Sequence, residues 1–222
     1  MKKLTCLAVL IACCSFSPLN AQIFSPGDEI WGIQVDGDSI NVGVEGTADD
    51  VNNWPGGEPP ASAIDGVGQK YLNFGKTNTG FLATPGLPSI ATSITLWTAN
   101  DSEPRDPSGY QVWGTNVAIA GGGPFSLTDF TAISTGDLAL PSSRNEGGDV
   151  PLLPENSQTV DFANGDIYSS YLIVFPDVKD NPNANSMQIA EVQLGGTIIP
   201  EPAAVALVCM GLAALGWVRR RN

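Results

Sequence analysis

Between residues 28 and 195 the chain is a succession of short runs in which apolar and polar positions alternate, each closed by proline, glycine or a small polar residue. In Ser93-Ile94-Thr95-Leu96-Trp97-Thr98, Ile94 and Leu96 fall on one face and Thr95 and Trp97 on the other, the period of two that an extended strand imposes. Similar or β-branched runs predict strands at 30–35, 71–74, 81–84, 93–98, 110–113, 127–133, 158–162, 170–175 and 186–194. Nowhere here is an apolar period of about 3.6 residues sustained long enough for a helix. Short strands with long loops fit two antiparallel sheets packed face to face, an all-β jelly-roll sandwich. In 186–194, Gln188, Ala190, Val192 and Leu194 share one face, and Ile189, Glu191 and Gln193 the other. Glu191 is therefore a carboxylate on a partly apolar face, and it needs a partner.

The two ends follow another pattern. Residues 203–218 are uncharged and span about 24 Å as a helix, short but usable against a hydrocarbon core of about 30 Å. Pro200, Glu201 and Pro202 precede this run, and Arg219, Arg220 and Arg221 follow it. The arginines hold the C-terminus on the cytoplasmic side, so the chain ahead of Pro200 faces outward. At the other end, Met1-Lys2-Lys3, an apolar stretch from Leu4 to Phe16 and the small Ala21 predict a signal peptide over 1–21, cut by signal peptidase to leave Gln22 first. Leu10-Ile11-Ala12-Cys13 reads alternatively as a lipobox, in which Cys13 would be lipidated. The expected organisation is a signal peptide (1–21), a β-sandwich (22–195), and a hinge plus tail (196–222), with Gly195-Gly196-Thr197 as the hinge.

Pro-Glu-Pro, an apolar span and an arginine cluster, paired with an N-terminal signal, resemble the PEP-CTERM sorting tail of Gram-negative bacteria that make extracellular polysaccharide. The resemblance covers about residues 199–222. It implies a protein held in the inner membrane in transit, recognised by the membrane transpeptidase exosortase, cut near the Pro-Glu-Pro, and delivered to the cell surface or extracellular matrix. The alternative is an ordinary C-terminal anchor that is never cut.

Composition narrows the chemistry. Cys6, Cys13, Cys14 and Cys209 all lie in the two end segments, so the body has no disulfide and must be held by its core or by a metal. There is no histidine, which removes Ser/His/Asp and Cys/His nucleophilic sites and histidine-ligated zinc. Paired carboxylates remain, so a glycoside hydrolase is the enzymatic alternative to a non-enzyme. In the body Lys70, Lys76, Arg105, Arg144 and Lys179 face 22 acidic residues, a net charge of −17. A field of that sign repels phosphate backbones, and nucleic acid is excluded as a partner.

Three ordered segments carry a second resemblance: Ala63-Ile64-Asp65-Gly66 followed by Lys70-Tyr71-Leu72-Asn73-Phe74-Gly75; Thr98-Ala99-Asn100-Asp101 with Pro104-Arg105-Asp106-Pro107 and then Tyr110 to Asn116; and Tyr171 to Phe175 followed by Asn185 to Val192. Together they resemble the discoidin-like, galactose-binding-like jelly roll of coagulation-factor C domains and many carbohydrate-binding modules, over about residues 28–195.

That resemblance implies a structural Ca²⁺ held by the Ser62 carbonyl, the Asp65 carboxylate, a carbonyl near Val67, the Ala190 carbonyl and the Glu191 carboxylate. Two carboxylates with carbonyls suit a hard cation. The chain departs from the pattern at Val67, where the family has asparagine, and at Lys70, where it has threonine; Gln69 would serve instead. The alternative is that Asp65 closes the turn before Gly66 while Glu191 pairs with Lys70 or meets backbone donors. For function the resemblance implies a glycan-binding module, with Trp54 as stacking platform and Asp101, Arg105 and Asp106 on sugar hydroxyls. Arg105, between Glu103 and Asp106, reads alternatively as a loop-fixing ion pair. The competing function is a structural matrix protein whose sandwich is stable cargo. Residues 141–154, polar and with Arg144, read as a surface excursion, and Gly121 to Gly123 and Gly147-Gly148 as loop glycines.

Overall fold

The computed structural model describes residues 21–119 and 122–200. The expected signal peptide up to residue 20 with Cys13, the span 203–218, Glu201, Pro202 and the three arginines lie outside the described residues. Among the described residues no helix is long and apolar enough to cross a membrane.

The strands are β1 (Ala21–Gln22), β2 (Glu29–Asp36), β3 (Ser39–Val42), β4 (Val44–Glu45), β5 (Asn53–Trp54), β6 (Tyr71–Asn73), β7 (Thr79–Thr84) and β8 (Ser89–Trp97). They continue with β9 (Gly109–Thr115), β10 (Phe125–Ser126), β11 (Thr131–Asp137), β12 (Ser157–Asp161), β13 (Ser170–Phe175), β14 (Met187–Ile189) and β15 (Glu191–Ile198). One sheet runs β1-β15-β8-β12 and the other β10-β3-β2-β7-β13-β9-β11. Every pairing within the two sheets is antiparallel. The architecture is thus the expected all-β jelly-roll sandwich.

Strand alternation builds two apolar layers. Ile94 and Leu96 of β8 meet Val192 and Leu194 of β15 and Tyr171, Ile173 and Phe175 of β13 in the core between the sheets. Leu172 and Val174 of β13 join Ile33, Ile40, Leu82 and Phe130 in a second cluster, on the opposite face of the larger sheet. Being covered on both faces, β13 is buried at every position and lacks polar alternation in its sequence.

Four expectations are corrected. The run 186–194 is two strands, because β14 pairs with β6 while β15 pairs with β8. Ala190 lies between them, its N–H donating to the Trp97 carbonyl at 3.0 Å. Residues Gln188 to Val192 are consequently buried throughout, and the two-face partition does not hold. Within 127–133, Leu127–Asp129 form a short 3₁₀ turn, to which Ser126 gives a side-chain cap, and the strand starts at Thr131. Strands β1, β4, β5 and β10, of two residues each, are too short for a period to be read, and the four-residue β3 is an addition to the expected set.

The Gly195-Gly196-Thr197 stretch is not a hinge but part of β15, with Gly196 opposite Ala91 and Ile198 opposite Ser89. The register slips between Gly195 and Gly196, and a Cβ on Gly196 would run into the Ile90 carbonyl oxygen. Glycine is needed here for a β-bulge, not for flexibility.

The β15 register also orients the domain. Glu191 lies opposite Trp97 and Ile198 opposite Ser89, so the chain leaves towards the tail from the Ser89 end. The loops after β8 and before β15 gather at the Trp97 end, about 23 Å away at the rise of an extended strand.

Candidate functional site

The loop end is fixed by an ionic knot. Asp106 is fully buried and takes both Arg144 Nη1 and Nη2 at 2.7 Å. Lys179 Nζ reaches the same carboxylate at 3.2 Å and Glu103 at 3.1 Å. Glu103 sits below the usual carboxylate range because Ser142 and Lys179 donate to it. Behind the knot, Asn145 donates to the Thr98 carbonyl at 2.7 Å, Asn156 donates to Asn145 Oδ1 at 3.1 Å, and both asparagines are buried. The segment 141–154 is the expected surface excursion, and these bonds pin its base to the loop after β8.

Between these loops lies a polar cavity of about 200 Å³, lined by Gly57, Glu58, Gly68, Gln69, Lys70, Asn100, Gly147 and Gly148. Its wall is made by close backbone approach, since a Cβ on Gly68 would run into the Glu146 carbonyl. Lys70 Nζ bridges two carboxylates, Asp101 Oδ2 at 2.9 Å and Glu58 Oε1 at 3.3 Å. Partial burial raises the Asp101 pKa, but the hydrogen bond and charge of Lys70, with Arg105 and Gln188, outweigh it and hold the carboxyl below its usual range. Gln69 donates to Asp149 Oδ1 at 2.6 Å.

Beside the cavity, Asp65 and Glu191 come together. Glu191 is fully buried; Gly66 N–H donates to its Oε2 at 3.0 Å and Gln193 Nε2 to its Oε1 at 2.9 Å. Burial, with the Asp65 charge, lifts its pKa to about 8 against those hydrogen bonds. Burial and the Asp149 charge raise Asp65 as well, although Val67 N–H donates to its Oδ1 at 2.9 Å. Glu191 thus meets a backbone donor and not Lys70, and Asp65 closes the turn at Gly66. These bonds leave carboxylate lone pairs unused, and the buried Gln193 Oε1, on the same side chain that donates to Glu191, has no partner. Two mutually repelling carboxylates with an orphaned amide oxygen nearby fit the donor set of Ca²⁺. Gln69, engaged with Asp149, is not gathered to the pair.

The sugar-contact residues expected from the sequence are not brought together. Asp106 is enclosed in the ionic knot and cannot meet a ligand. The loop-fixing ion pair falls to Arg144, while Arg105 makes no ion pair among the described residues and acts on Asp101 only through its charge. Trp54 is not an exposed loop platform: it belongs to β5, is half-buried, and stands so close to Gly32 and Gly43 that a Cβ on either would come within 2.8 Å of its Cζ3. Its free side faces a lateral groove of about 430 Å³ with Ile30, Trp31, Val44, Pro59 and Pro60. Asp101 alone of the four is tied to the polar cavity, by its bond to the lining Lys70.

The family model described as the PEP-CTERM protein-sorting motif matches residues 199–221. The chain carries a PEP-CTERM sorting tail. That tail marks an exported protein, anchored in the membrane in transit and bound for the cell surface. Among characterised proteins no sequence relative was found. Among solved structures, the family 32 carbohydrate-binding module of Clostridium perfringens NanJ, in complex with galactose, superposes with a TM-score of 0.50 and 13% identity over 80% of this chain and 99% of that one. A second Clostridium perfringens module, in complex with GalNAc-β-1,3-galactose, gives a TM-score of 0.49 and 11% identity over 78% and 99%. The body shares the jelly-roll fold of the galactose-bound module.

The sequence reading missed Glu58, Asn100 and the bridging role of Lys70. Lys70 stood out in the sequence as a departure from the resembled loop pattern and as a possible partner of Glu191, but its carboxylate partners are Asp101 and Glu58.

Proposed function

We propose that this protein is an exported carbohydrate-binding module that holds a glycan in the polar cavity at the loop end. The observation that carries the reading is the Lys70 bridge between Glu58 and Asp101, a pre-set group of donor and acceptors in a cavity of about 200 Å³. Such charged hydrogen-bonding groups fix sugar hydroxyls in orientation. The fold, shared with a galactose-bound module, supports it.

Binding is favoured over hydrolysis by the same geometry. A carboxylate-based glycosidase keeps one carboxyl protonated and leaves room for the glycosidic oxygen between the two. Here Lys70 occupies the space between Glu58 and Asp101, and it holds Asp101 ionised.

Asp65 and Glu191, with carbonyls of Ser62 and Ala190 and one near Val67, would hold a structural Ca²⁺ that braces the loop beside the cavity. In transit the tail anchors the domain from its Ser89 end, which leaves the cavity pointing away from the inner membrane. Exosortase then cuts near Pro200, and the module passes to the cell surface or the extracellular matrix.

A glycan array followed by titration calorimetry of the exported protein tests the binding reading. Expected is a glycan signal that Lys70→Ala abolishes without loss of folding. Absence of any glycan signal, or a signal indifferent to Lys70→Ala, refutes it. Mass spectrometry of the protein from its own cells tests the processing: a mature C-terminus near Pro200 supports exosortase cleavage, and an intact Arg219-Arg220-Arg221 end refutes it.

A further inference from the structure

The cavity contains one ammonium, and its charge is already matched. Lys70 lies 2.9 Å from Asp101 and 3.3 Å from Glu58, and its side chain is only 10% exposed. It donates to Asp101 Oδ2 and forms an ion pair with Glu58, so the ammonium keeps hydrogens to donate. Glu58 Oε2 makes no hydrogen bond among the described residues, and the half-exposed Asp101 carboxylate keeps lone pairs beyond the bond from Lys70, so both remain acceptors. Asp149, held by the lining Gln69 at 2.6 Å, adds a third carboxylate at the rim.

An ammonium that can still donate beside carboxylates that can still accept is the complement of neighbouring hydroxyl groups, each of which can give a proton to a carboxylate while one accepts from the ammonium. The anionic group of a uronate, sialate or sulfated sugar brings acceptors only. It could be met by Lys70 alone and would face three carboxylates within a body of net charge −17.

We propose that the loop-end cavity selects by charge: it takes an uncharged sugar through a vicinal diol and excludes acidic glycans. This rests on the carbohydrate-binding reading above and adds the ligand class. Glu58 and Asp101 are the specificity-determining residues, for they cancel the one cation that would otherwise recruit an anion.

The test measures neutral oligosaccharides against matched uronate-, sialate- and sulfate-bearing ones, at low and at physiological ionic strength, with wild-type protein and the Glu58→Gln/Asp101→Asn variant. Expected for the wild type is binding of neutral glycans, with acidic ones weaker by about tenfold or more at low salt and the gap narrowing as salt screens the field. In the double variant, which leaves Lys70 unmatched, the acidic-to-neutral ratio should rise by about tenfold or more. Wild-type protein that binds acidic glycans as tightly as neutral ones at low salt overturns the charge inference while leaving carbohydrate binding intact. So does a folded double variant with an unchanged ratio. If no glycan of any class binds, the binding reading itself falls, and this inference with it.

Discussion

Arg144 grips Asp106 with both terminal guanidinium nitrogens, each 2.7 Å from a different carboxylate oxygen, and Asp106 is fully buried. The pair joins the segment around Arg144 to the loop after β8, the two walls that flank the cavity. A buried charge that loses its partner is costly, and bidentate geometry is specific to guanidinium. Arg144→Ala should therefore lower unfolding stability by about 2–4 kcal/mol, Lys179 remaining to offset part of the loss. Arg144→Lys should restore less than half of that. Urea denaturation of the three proteins checks it, and an unaltered midpoint for Arg144→Ala would contradict the assignment of the knot.

Glu191 sets the pH dependence. Its carboxyl is pushed up to about 8 from 4.5, so between those values the folded protein binds a proton that the unfolded chain does not. Stability is then fully present below about 4.5 and falls as pH rises towards 8, by about 1.4 kcal/mol per unit at most. Asp65, also raised, works in the same direction. In chelator, the melting temperature should drop from pH 5 to pH 8; millimolar Ca²⁺ should oppose the drop, because the ion binds the ionised pair and stabilises only the folded state. Glu191→Gln should flatten the chelator profile and abolish the calcium effect. A melting temperature indifferent to calcium at pH 8 would remove the proposed ion.

The sandwich was legible because its strands announce themselves locally: β8 alternates, and β13 is apolar at each position through burial on both faces. Glu191 too was legible, as a carboxylate that alternation set among apolar neighbours. What could not be read was contact between distant segments. Nothing local tells Asp106 that Arg144 will close on it, so a residue chosen for a sugar hydroxyl proved to be the centre of the loop anchor. The Gly195-Gly196 pair misled for a related reason, because a bulge and a hinge use the same residue type and only the facing Ile90 backbone separates them.

Trp54 distinguishes the polar cavity from the lateral groove. Its ring lies over Gly32 and Gly43, so Trp54→Ala opens a void against two strands and should cost about 2–4 kcal/mol of stability. Glycan affinity of the folded fraction should hold within about twofold, because the ring does not line the cavity that contains Lys70. Loss of glycan binding with stability unchanged would move the site to the groove.

Gly68 provides the converse case, a change at the cavity wall. A methyl group there would strike the Glu146 carbonyl and come within 2.8 Å of Val150 Cγ2, where Gly68 N–H now donates to the Val150 carbonyl at 2.9 Å. Gly68→Ala should push the 141–154 segment outward, at a cost of about 1–3 kcal/mol. Because the displaced segment supplies Gly147 and Gly148 to the lining, glycan affinity should fall with it. Titration calorimetry beside a denaturation curve separates the two effects. A Gly68→Ala protein with both unchanged would mean that the excursion is not seated against the segment from Asp65 to Lys70, and that the cavity does not have the walls on which its selectivity depends.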